Sequence, residues 1–289
     1  MPTLDRVISV ACADDLQIWR LVHPHIVKNI PARNYCVIVP QSDLSLFRAN
    51  TDRTVQVIDE TAFLDRHDKE SITALLPQNV RNRAGWYLQQ FAKISAAREG
   101  DSQSVNLIWD ADTLPIKRLN FFGDGTLYRY GSREAHAPYY TTLERILGIE
   151  TIVRPSFIAQ CLAVRKSWVD EFCAELESRW STDWISAILE RLPGRHGAEF
   201  SEYEAIGNFV EQRHPHAYDV LDSKWVRFGY SRFGAPENLS EGRLEVLSRK
   251  YDFISFEKWD KNKKLPSRLM RAFKSKLAEL HPSLSKSQP

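Results

Sequence analysis

The sequence lacks the motifs of several large enzyme classes. No GxxxxGK[ST], GxSxG or HExxH motif occurs, and no GxGxxG follows the first predicted strand. P-loop kinases, standard dinucleotide enzymes, serine hydrolases and zincins are therefore disfavoured. Glycine is also sparse in the first predicted turn, Ala13-Asp14-Asp15, so backbone amides cannot cradle phosphates there. Asp14 and Asp15 could instead bind the base or ribose of a nucleotide.

Long apolar runs and paired cysteines are missing as well. No run approaches the roughly 18 residues that a membrane-spanning helix needs, and Asp5 argues against a secretory signal peptide. The four cysteines are scattered without a CxxC pair. They predict buried free thiols in a reducing compartment rather than disulfides or a zinc site. We therefore expect a soluble cytoplasmic protein.

The alternation of apolar patterns predicts an α/β fold. Continuous β-branched runs predict strands at residues 6–12, 34–40, 54–59, 105–109, 125–131 and 156–164. Helical spacing predicts a helix after Asp15 and others at residues 85–100, 166–179, 183–192 and 202–212. Strands that are apolar throughout, separated by helices, indicate a mostly parallel sheet covered on both faces.

Two aspartates end the strand in VNLIWDADTLPI, residues 105–116. Ligands collect at the carboxyl ends of strands in open α/β sheets. Asp110 and Asp112 would suit Mg²⁺ or Mn²⁺, which take the rest of their shell from water and substrate phosphates. A D-x-D triplet alone is weak, because it occurs by chance in a chain of this size. The alternative is a turn in which both aspartates accept local backbone N–H groups.

The helix before this strand, GWYLQQFAKISAAREG, carries two neighbouring stripes. Trp86, Gln90, Lys93 and Ala97 lie beside an apolar stripe of Tyr87, Phe91 and Ile94. A lysine near a metal-bound diphosphate would stabilise the leaving-group oxygens. The alternative is that Lys93 is an ordinary solvated lysine on an amphipathic helix.

A later helix begins in FSEYEAIGNFVEQ, residues 200–212. Ser201 and Glu204 match a capping box, in which serine caps the helix and glutamate reaches back. Glu202 is not needed by that box. Beside the positive end of the helix it should stay ionised, which makes it a candidate general base. Simple enrichment of acids in a first turn is the alternative.

These features together resemble the GT-A class of nucleotide-sugar glycosyltransferases. VNLIWDADTLPI looks like their D-x-D strand, and GWYLQQFAKISAA looks like the helix preceding it in bacterial polysaccharide and lipopolysaccharide transferases. FSEYEAIGNF resembles a segment of poorly characterised bacterial glycosyltransferase-like proteins. The resemblance covers roughly residues 5–215. It implies a GT-A-like, Rossmann-like fold: a mixed, mostly parallel sheet flanked by helices.

The resemblance also implies a donor, a metal and an acceptor side. Asp14, Asp15, Gln90, Lys93, Asp110 and Asp112 would bind the nucleotide sugar, with Mn²⁺ or Mg²⁺ on the two DAD carboxylates and Glu202 as the base. His136, Tyr139 and Glu204 would contact the acceptor, a glycan or a lipid-linked hydroxyl in lipopolysaccharide or capsule assembly. The usual C-terminal histidine ligand is missing from residues 252–259. Glu257, His214, His216 or water could replace it.

Two other function classes stay open. A metal-dependent nucleotidyltransferase or phosphoesterase would also use paired aspartates, but it would need further carboxylates. A non-catalytic carbohydrate-binding module would keep the aromatic residues without needing both aspartates. Nucleic acid is not an expected partner, because the chain lacks a basic–aromatic surface motif.

The C-terminal segment differs from the rest in charge. Residues 258–276 contain eight Lys or Arg against Asp260, a net +7, so with a total of +2 the remaining chain is net −5. Leu265, Leu269, Phe273, Leu277 and Leu280 recur at helical spacing. We expect a basic amphipathic helix over 260–289 that lies on the inner face of an anionic membrane. The alternative is a helix packed on the body. Residues 1–259 are predicted to form one domain, with a donor half, 1–115, and an acceptor half, 116–259.

Overall fold

The computed structural model describes residues 2–64 and 67–261. Its strands are β1 Leu4–Val10, β2 Ala32–Val39, β3 Val55–Asp59, β4 Val105–Trp109, β5 Thr113–Pro115, β6 Leu127–Arg129, β7 Cys161–Arg165, β8 Tyr218–Val220 and β9 Phe253–Ser255. Its α-helices are α1 Leu16–Asn29, α2 Leu44–Arg48, α3 Thr61–Leu64, α4 Lys69–Leu75, α5 Ala84–Ala96, α6 Ala137–Leu147, α7 Lys166–Trp180, α8 Trp184–Leu189, α9 Glu202–Arg213, α10 Gly229–Phe233 and α11 Glu241–Ser248.

The chain forms two compact units. The first contains Met1–Leu16, Pro31–Asp110 and Asn120–Asp222, and the second contains Gln17–Ile30, Ala111–Leu119 and Ser223–Pro289. Asp110 ends one of the segments of the first unit, whereas Asp112 belongs to the second unit. The predicted division into halves 1–115 and 116–259 stays a prediction.

The first unit is built on a five-stranded sheet. Its order is β3-β2-β1-β4-β7, with β7 antiparallel and the other neighbours parallel. All five residues of β4 are buried, as expected for a strand covered on both faces. The predicted mixed, mostly parallel sheet flanked by helices is confirmed.

Two helices of this unit bury polar residues along with their apolar ones. Gln90 and Lys93 of α5 and Glu202, Glu204 and Asn208 of α9 are all buried. Buried polar groups need partners, because an unsatisfied one costs about 1–3 kcal/mol. The partners of these side chains define the candidate site below.

A glycine allows α9 to approach its neighbour closely. A Cβ at Gly207 would lie 2.3 Å from the ring of Phe157. The guanidinium of Arg129 covers Phe157 with its Cζ 4.1 Å from the ring centroid. The motif EAIGNF therefore contains its glycine for packing.

The second unit contains a two-stranded antiparallel sheet and helices. β5 pairs with β9 through Thr113 opposite Ser255 and Pro115 opposite Phe253. The Asn29 amide at the end of α1 donates to the Pro115 carbonyl over 2.9 Å. This bond ties α1 to the short segment that carries Asp112.

Several predicted boundaries are wrong. β7 begins at Cys161 rather than at residue 156, after Gln160, whose φ of 63° lies outside the strand region. The helix predicted at 183–192 covers only Trp184–Leu189, because the Asp183 side chain caps it and the chain turns after Leu189. The predicted tail helix, 260–289, lies outside the described residues beyond Lys261.

The cysteines follow the prediction with one exception. All four thiols are free, and Cys36, Cys161 and Cys173 are buried, whereas Cys12 is half-buried. Over the described ranges, no helix combines the length and apolarity needed to cross a bilayer.

Candidate active site

The candidate site lies where the strand order of the first unit reverses. β1 leads outward to β2 and β3, while its other neighbour, β4, leads to β7. The Ser9 hydroxyl near the end of β1 donates to the Trp109 carbonyl at the end of β4 over 2.8 Å. In open α/β sheets, the crevice beyond the carboxyl ends of two such strands is the usual ligand site. Asp14–Asp15 and Asp110 follow these two strands.

Asp110 is fixed by partners from three elements. Its backbone N–H donates to the Gln160 carbonyl over 3.0 Å. Its Oδ1 accepts from Lys93 Nζ at 2.5 Å and from the Tyr203 hydroxyl at 2.7 Å. About a fifth of the side chain, 20%, remains exposed. Asp110 is thus held by two side chains rather than by the local backbone N–H groups of a turn.

Lys93 connects Asp110 to Glu202. Its Nζ also donates to Glu202 Oε1 at 2.7 Å, and its side chain is 8% exposed. Burial acts to lower the pKa of Lys93, but the charges and hydrogen bonds of Asp110 and Glu202 outweigh it and raise that pKa above the ordinary value. The ammonium stays protonated. The alternative prediction of a solvated lysine is wrong.

Glu202 is the deepest member of this cluster. It begins α9, as predicted, and its side chain is only 2% exposed. Its backbone N–H donates to Gln90 Oε1 over 3.2 Å. Burial raises the pKa of Glu202, Lys93 opposes this increase, and Asp110 adds to it. We expected the helix start to keep this carboxylate ionised, but burial, which raises its pKa, is the larger effect.

The predicted capping box is half right. Ser201 caps α9 by accepting from the Glu204 N–H over 3.5 Å. The Glu204 carboxylate is fully buried, where it accepts from Asn208 Nδ2 at 2.8 Å and from the Ser156 hydroxyl. Burial raises its pKa. Glu204 thus braces α9 against the segment before β7.

The remaining predicted donor residues have different surroundings. Asp15 Oδ2 accepts from the Cys12 N–H at 3.0 Å and so holds the turn after β1. Asp14 is exposed in the same turn. Gln90 is buried and supports Glu202 rather than facing solvent.

Asp112 belongs to the second unit and has its own contacts there. Its carbonyl accepts from the Phe256 N–H at 2.9 Å. Its Oδ1 accepts from the hydroxyls of Thr113, at 3.3 Å, and Ser255, at 3.5 Å. The side chain is half-buried.

Two of the predicted acceptor residues lie together. His136 is the residue before α6, and its ring contacts Tyr139 edge-on with centroids 4.3 Å apart. Glu204 contacts a different residue of that helix, with the Tyr140 hydroxyl 3.5 Å from its Oε1. Because Glu204 is buried, it supports α6 from the protein interior.

One protein-family model matches most of the chain. Residues 10–224 match the model of a protein family of unknown function, DUF6492. The chain belongs to this family. No curated protein matches the sequence.

Solved structures similar to this DUF6492 protein include three of glycosyltransferases, each 11% identical. An active-site mutant of LgtC covers 95% of both chains with a TM-score of 0.51. LgtC galactosyltransferase with donor and acceptor sugar analogues covers 98% of this chain and 97% of its own at 0.46. Apo mouse xyloside xylosyltransferase 1 covers 91% of this chain and 99% of its own at 0.45. The likeness to the LgtC mutant shows a GT-A-type fold, as predicted.

The described part of this DUF6492 chain suits a metal ion that arrives with its substrate. Within it, no three His, Cys, Asp or Glu side chains are arranged to hold a metal. Mg²⁺ needs only one or two protein carboxylates when phosphates and water complete its shell. Asp110 meets that requirement. Lys93 and Tyr203 both donate to its Oδ1, and part of the carboxylate remains exposed.

Two of the suggested third ligands, His214 and Glu257, have other partners. His214 Nε2 lies 2.7 Å from Glu171 Oε2, and its ring stacks on Trp168. In the second unit, Glu257 Oε1 accepts from Arg227 Nε at 2.6 Å.

Tyr203 is a site residue that the sequence analysis missed. Its ring lies under Lys93, 5.0 Å from Nζ to the centroid, and its hydroxyl binds Asp110. Burial and the charge of Asp110 raise its pKa, so it remains a hydrogen-bond donor. Its position between two glutamates in SEYEA offers no periodic signal that could have revealed this role.

Proposed function

We propose that this protein is a glycosyltransferase that moves a sugar from a nucleotide-sugar donor to a hydroxyl of a glycan or a lipid-linked acceptor. The supporting observation is the Lys93–Asp110 pair at the carboxyl end of β4, in the crevice of a GT-A-type sheet. A hydrogen-bonded, partly exposed carboxylate at this place is suited to orient a polar substrate. Bacterial lipopolysaccharide or capsule assembly is the proposed setting.

The charge of the cluster favours a metal-dependent reaction. With both carboxylates ionised, Asp110, Lys93 and Glu202 carry one net negative charge, and Asp14 and Asp15 follow the neighbouring strand. A diphosphate would be repelled by these groups without a divalent cation. Asp110 and Asp112 would hold Mg²⁺ or Mn²⁺, which would neutralise the leaving diphosphate. Asp14 and Asp15 would contact the ribose or base.

The protein's own residues would fix the reacting groups. Lys93 and Tyr203 hold one oxygen of Asp110, which leaves the rest of that carboxylate available to the donor. Glu202 accepts a hydrogen bond from Lys93 on the buried side of the cluster. Because its carboxylate is almost fully covered, we favour positioning over proton abstraction for Glu202. Its role as general base stays a prediction.

A membrane surface is the proposed location of the acceptor. Phe228 and Trp259 of the second unit are exposed hydrophobic residues whose rings meet edge to face at 5.5 Å. Lys258 and Lys261 lie next to Trp259 in the sequence, and the basic residues of 262–289 follow. Aromatic and basic residues together favour an anionic bilayer interface.

Calorimetric titration with a panel of nucleotide sugars tests the central proposal. We expect one donor to bind when Mn²⁺ or Mg²⁺ is present and to bind far more weakly with chelator. Asp110→Asn and Asp112→Ala should each remove the metal-dependent part of binding. Asp124→Ala, in an exposed turn of the first unit, is the matched control and should bind normally.

The products distinguish the proposed reaction from its rivals. A glycosyltransferase releases a nucleoside diphosphate, with free sugar when water is the acceptor, whereas a phosphoesterase or nucleotidyltransferase cleaves within the diphosphate. Failure of every nucleotide sugar to bind, or metal-dependent binding by Asp112→Ala, would show that the proposal is wrong. For Glu202→Gln, normal transfer with a normal pH profile would exclude the base role.

A further inference from the structure

Trp86, on the same face of α5 as Lys93, forms an aromatic pair with Tyr139 of α6. The rings of Trp86 and Tyr139 are nearly parallel, at 12°, with centroids 6.5 Å apart, and both residues are half-buried. Trp86 precedes Lys93 by seven residues, two turns of helix, which corresponds to about 10 Å along the axis. Trp86 and the Lys93 end of the candidate site are therefore two helical turns apart on one helix.

A loop, residues 194–199, supports this pair. The buried Glu199 carboxylate accepts from the backbone N–H groups of Gly194, Arg195 and His196 at 2.6, 2.6 and 2.7 Å. The Ala198 carbonyl lies 2.8 Å from a ring nitrogen of His136, which contacts Tyr139. A loop whose N–H groups converge on one carboxylate is preorganised.

The same loop contains two basic residues and lies next to a third, Arg83. It exposes Arg195 and His196, and a Cβ at Gly197 would lie 3.6 Å from the side chain of Arg83. The Arg83 guanidinium covers Trp86 with its Cζ 5.3 Å from the ring centroid. In the part of the chain that the structure describes, neither Arg83 nor Arg195 forms an ion pair. Arginine combines stacking with bidentate binding of carboxylate or phosphate.

We propose that Arg83, Trp86, Tyr139, Arg195 and His196 form an acceptor subsite for a sugar ring that carries a carboxylate or a phosphate. The aromatic faces would cover the apolar face of the ring, and the two arginines would bind its anionic group. This subsite rests on the proposed glycosyltransferase function, and it adds the charge class of the acceptor.

Binding of three defined probes to the full chain tests this subsite. Tetragalacturonate carries carboxylates, mannose 6-phosphate carries a phosphate, and maltotetraose is neutral. We expect at least one anionic probe to bind more tightly than maltotetraose, and to lose affinity as salt is added. The better anionic probe identifies the group that the subsite prefers. Equal binding of all three probes, or absence of binding, would overturn the proposal.

Two variants separate the contribution of charge from that of stacking. The double variant Arg83→Gln/Arg195→Gln should weaken anionic probes by about three- to tenfold per arginine and leave maltotetraose unchanged. Trp86→Ala should weaken every probe. Arg48→Gln, at an exposed position on α2, removes one positive charge elsewhere and should change nothing. If the double variant behaves like Arg48→Gln, the subsite is wrong.

Donor titrations of the same variants keep this proposal distinct from the general one. The arginine variants should bind a nucleotide sugar with metal as the wild type does. Normal donor binding without any preference for anionic probes would reject the subsite alone. Preferential binding of an anionic probe without any donor binding would instead support a carbohydrate site and reject the glycosyltransferase proposal.

Discussion

Replacing Lys93 with methionine would remove the ammonium between Asp110 and Glu202 while keeping most of the side-chain volume. Glu202, with 2% of its side chain exposed, would lose its positive partner, whereas Asp110 would keep the Tyr203 hydroxyl. Removing one partner of a buried ion pair costs about 3–5 kcal/mol, because a charge is left buried and uncompensated. We expect Lys93→Met to lower the free energy of unfolding by that amount near neutral pH.

The pH dependence of this loss has a defined sign. Without Lys93, the main effect that opposes burial is lost, so the pKa of Glu202 rises further in the folded state. An acid whose folded-state pKa is raised loses stability as pH rises through that range. The difference between variant and wild type should therefore shrink as pH falls toward about 4.3, the unfolded-state pKa of a glutamate, because Glu202 is then protonated in the folded variant and no charge is left buried. The raised pKa of Lys93 keeps the wild-type ammonium charged throughout.

Urea unfolding followed by circular dichroism measures this effect, and two further variants test its cause. Lys166→Met is the matched control: Lys166 pairs with Asp170 at 2.5 Å, but both side chains are partly exposed, so its loss should cost less than about 1 kcal/mol. Adding Glu202→Gln to Lys93→Met should restore most of the lost stability. Equal losses for Lys93→Met and Lys166→Met would refute the argument from buried charge.

Two other predictions concern packing and thiol reactivity. Gly207→Ala should lower the free energy of unfolding by about 1–3 kcal/mol or more, because its methyl group would meet the Phe157 ring. The control Gly242→Ala, with open space around it, should be neutral or slightly stabilising. Equal changes in melting temperature for the two variants would contradict this. In the native protein only Cys12 should react readily with a thiol reagent at about pH 8, since burial raises the pKa of Cys36 and of Cys173 to about 12. After denaturation all four should react; fast native labelling at Cys36 or Cys173 would contradict their burial.

Local patterns accounted for the fold class and for the strand end at which the candidate site lies. Whether a segment is helical or extended depends on neighbours a few residues away, so β1, β2, β4, α5 and the start of α9 were predictable. Asp110 at the end of a buried strand also marked the crevice, because parallel strands place their carboxyl ends together. Predicted boundaries failed where a cap or an unusual dihedral angle ended an element, as at Asp183 and Gln160.

The partners of the site residues depended on tertiary structure. Lys93 and Glu202 are 109 residues apart and Tyr203 and Asp110 are 93 apart, and no local periodicity links such positions. Their contacts follow from the order of the strands and from the packing of α5 and α9 in the first unit. Burial then decided the chemistry, since a lysine that would be solvated on an isolated helix becomes the charged centre of the cluster. The sequence by itself determined which residues could act, and the packing of distant elements determined which of them meet.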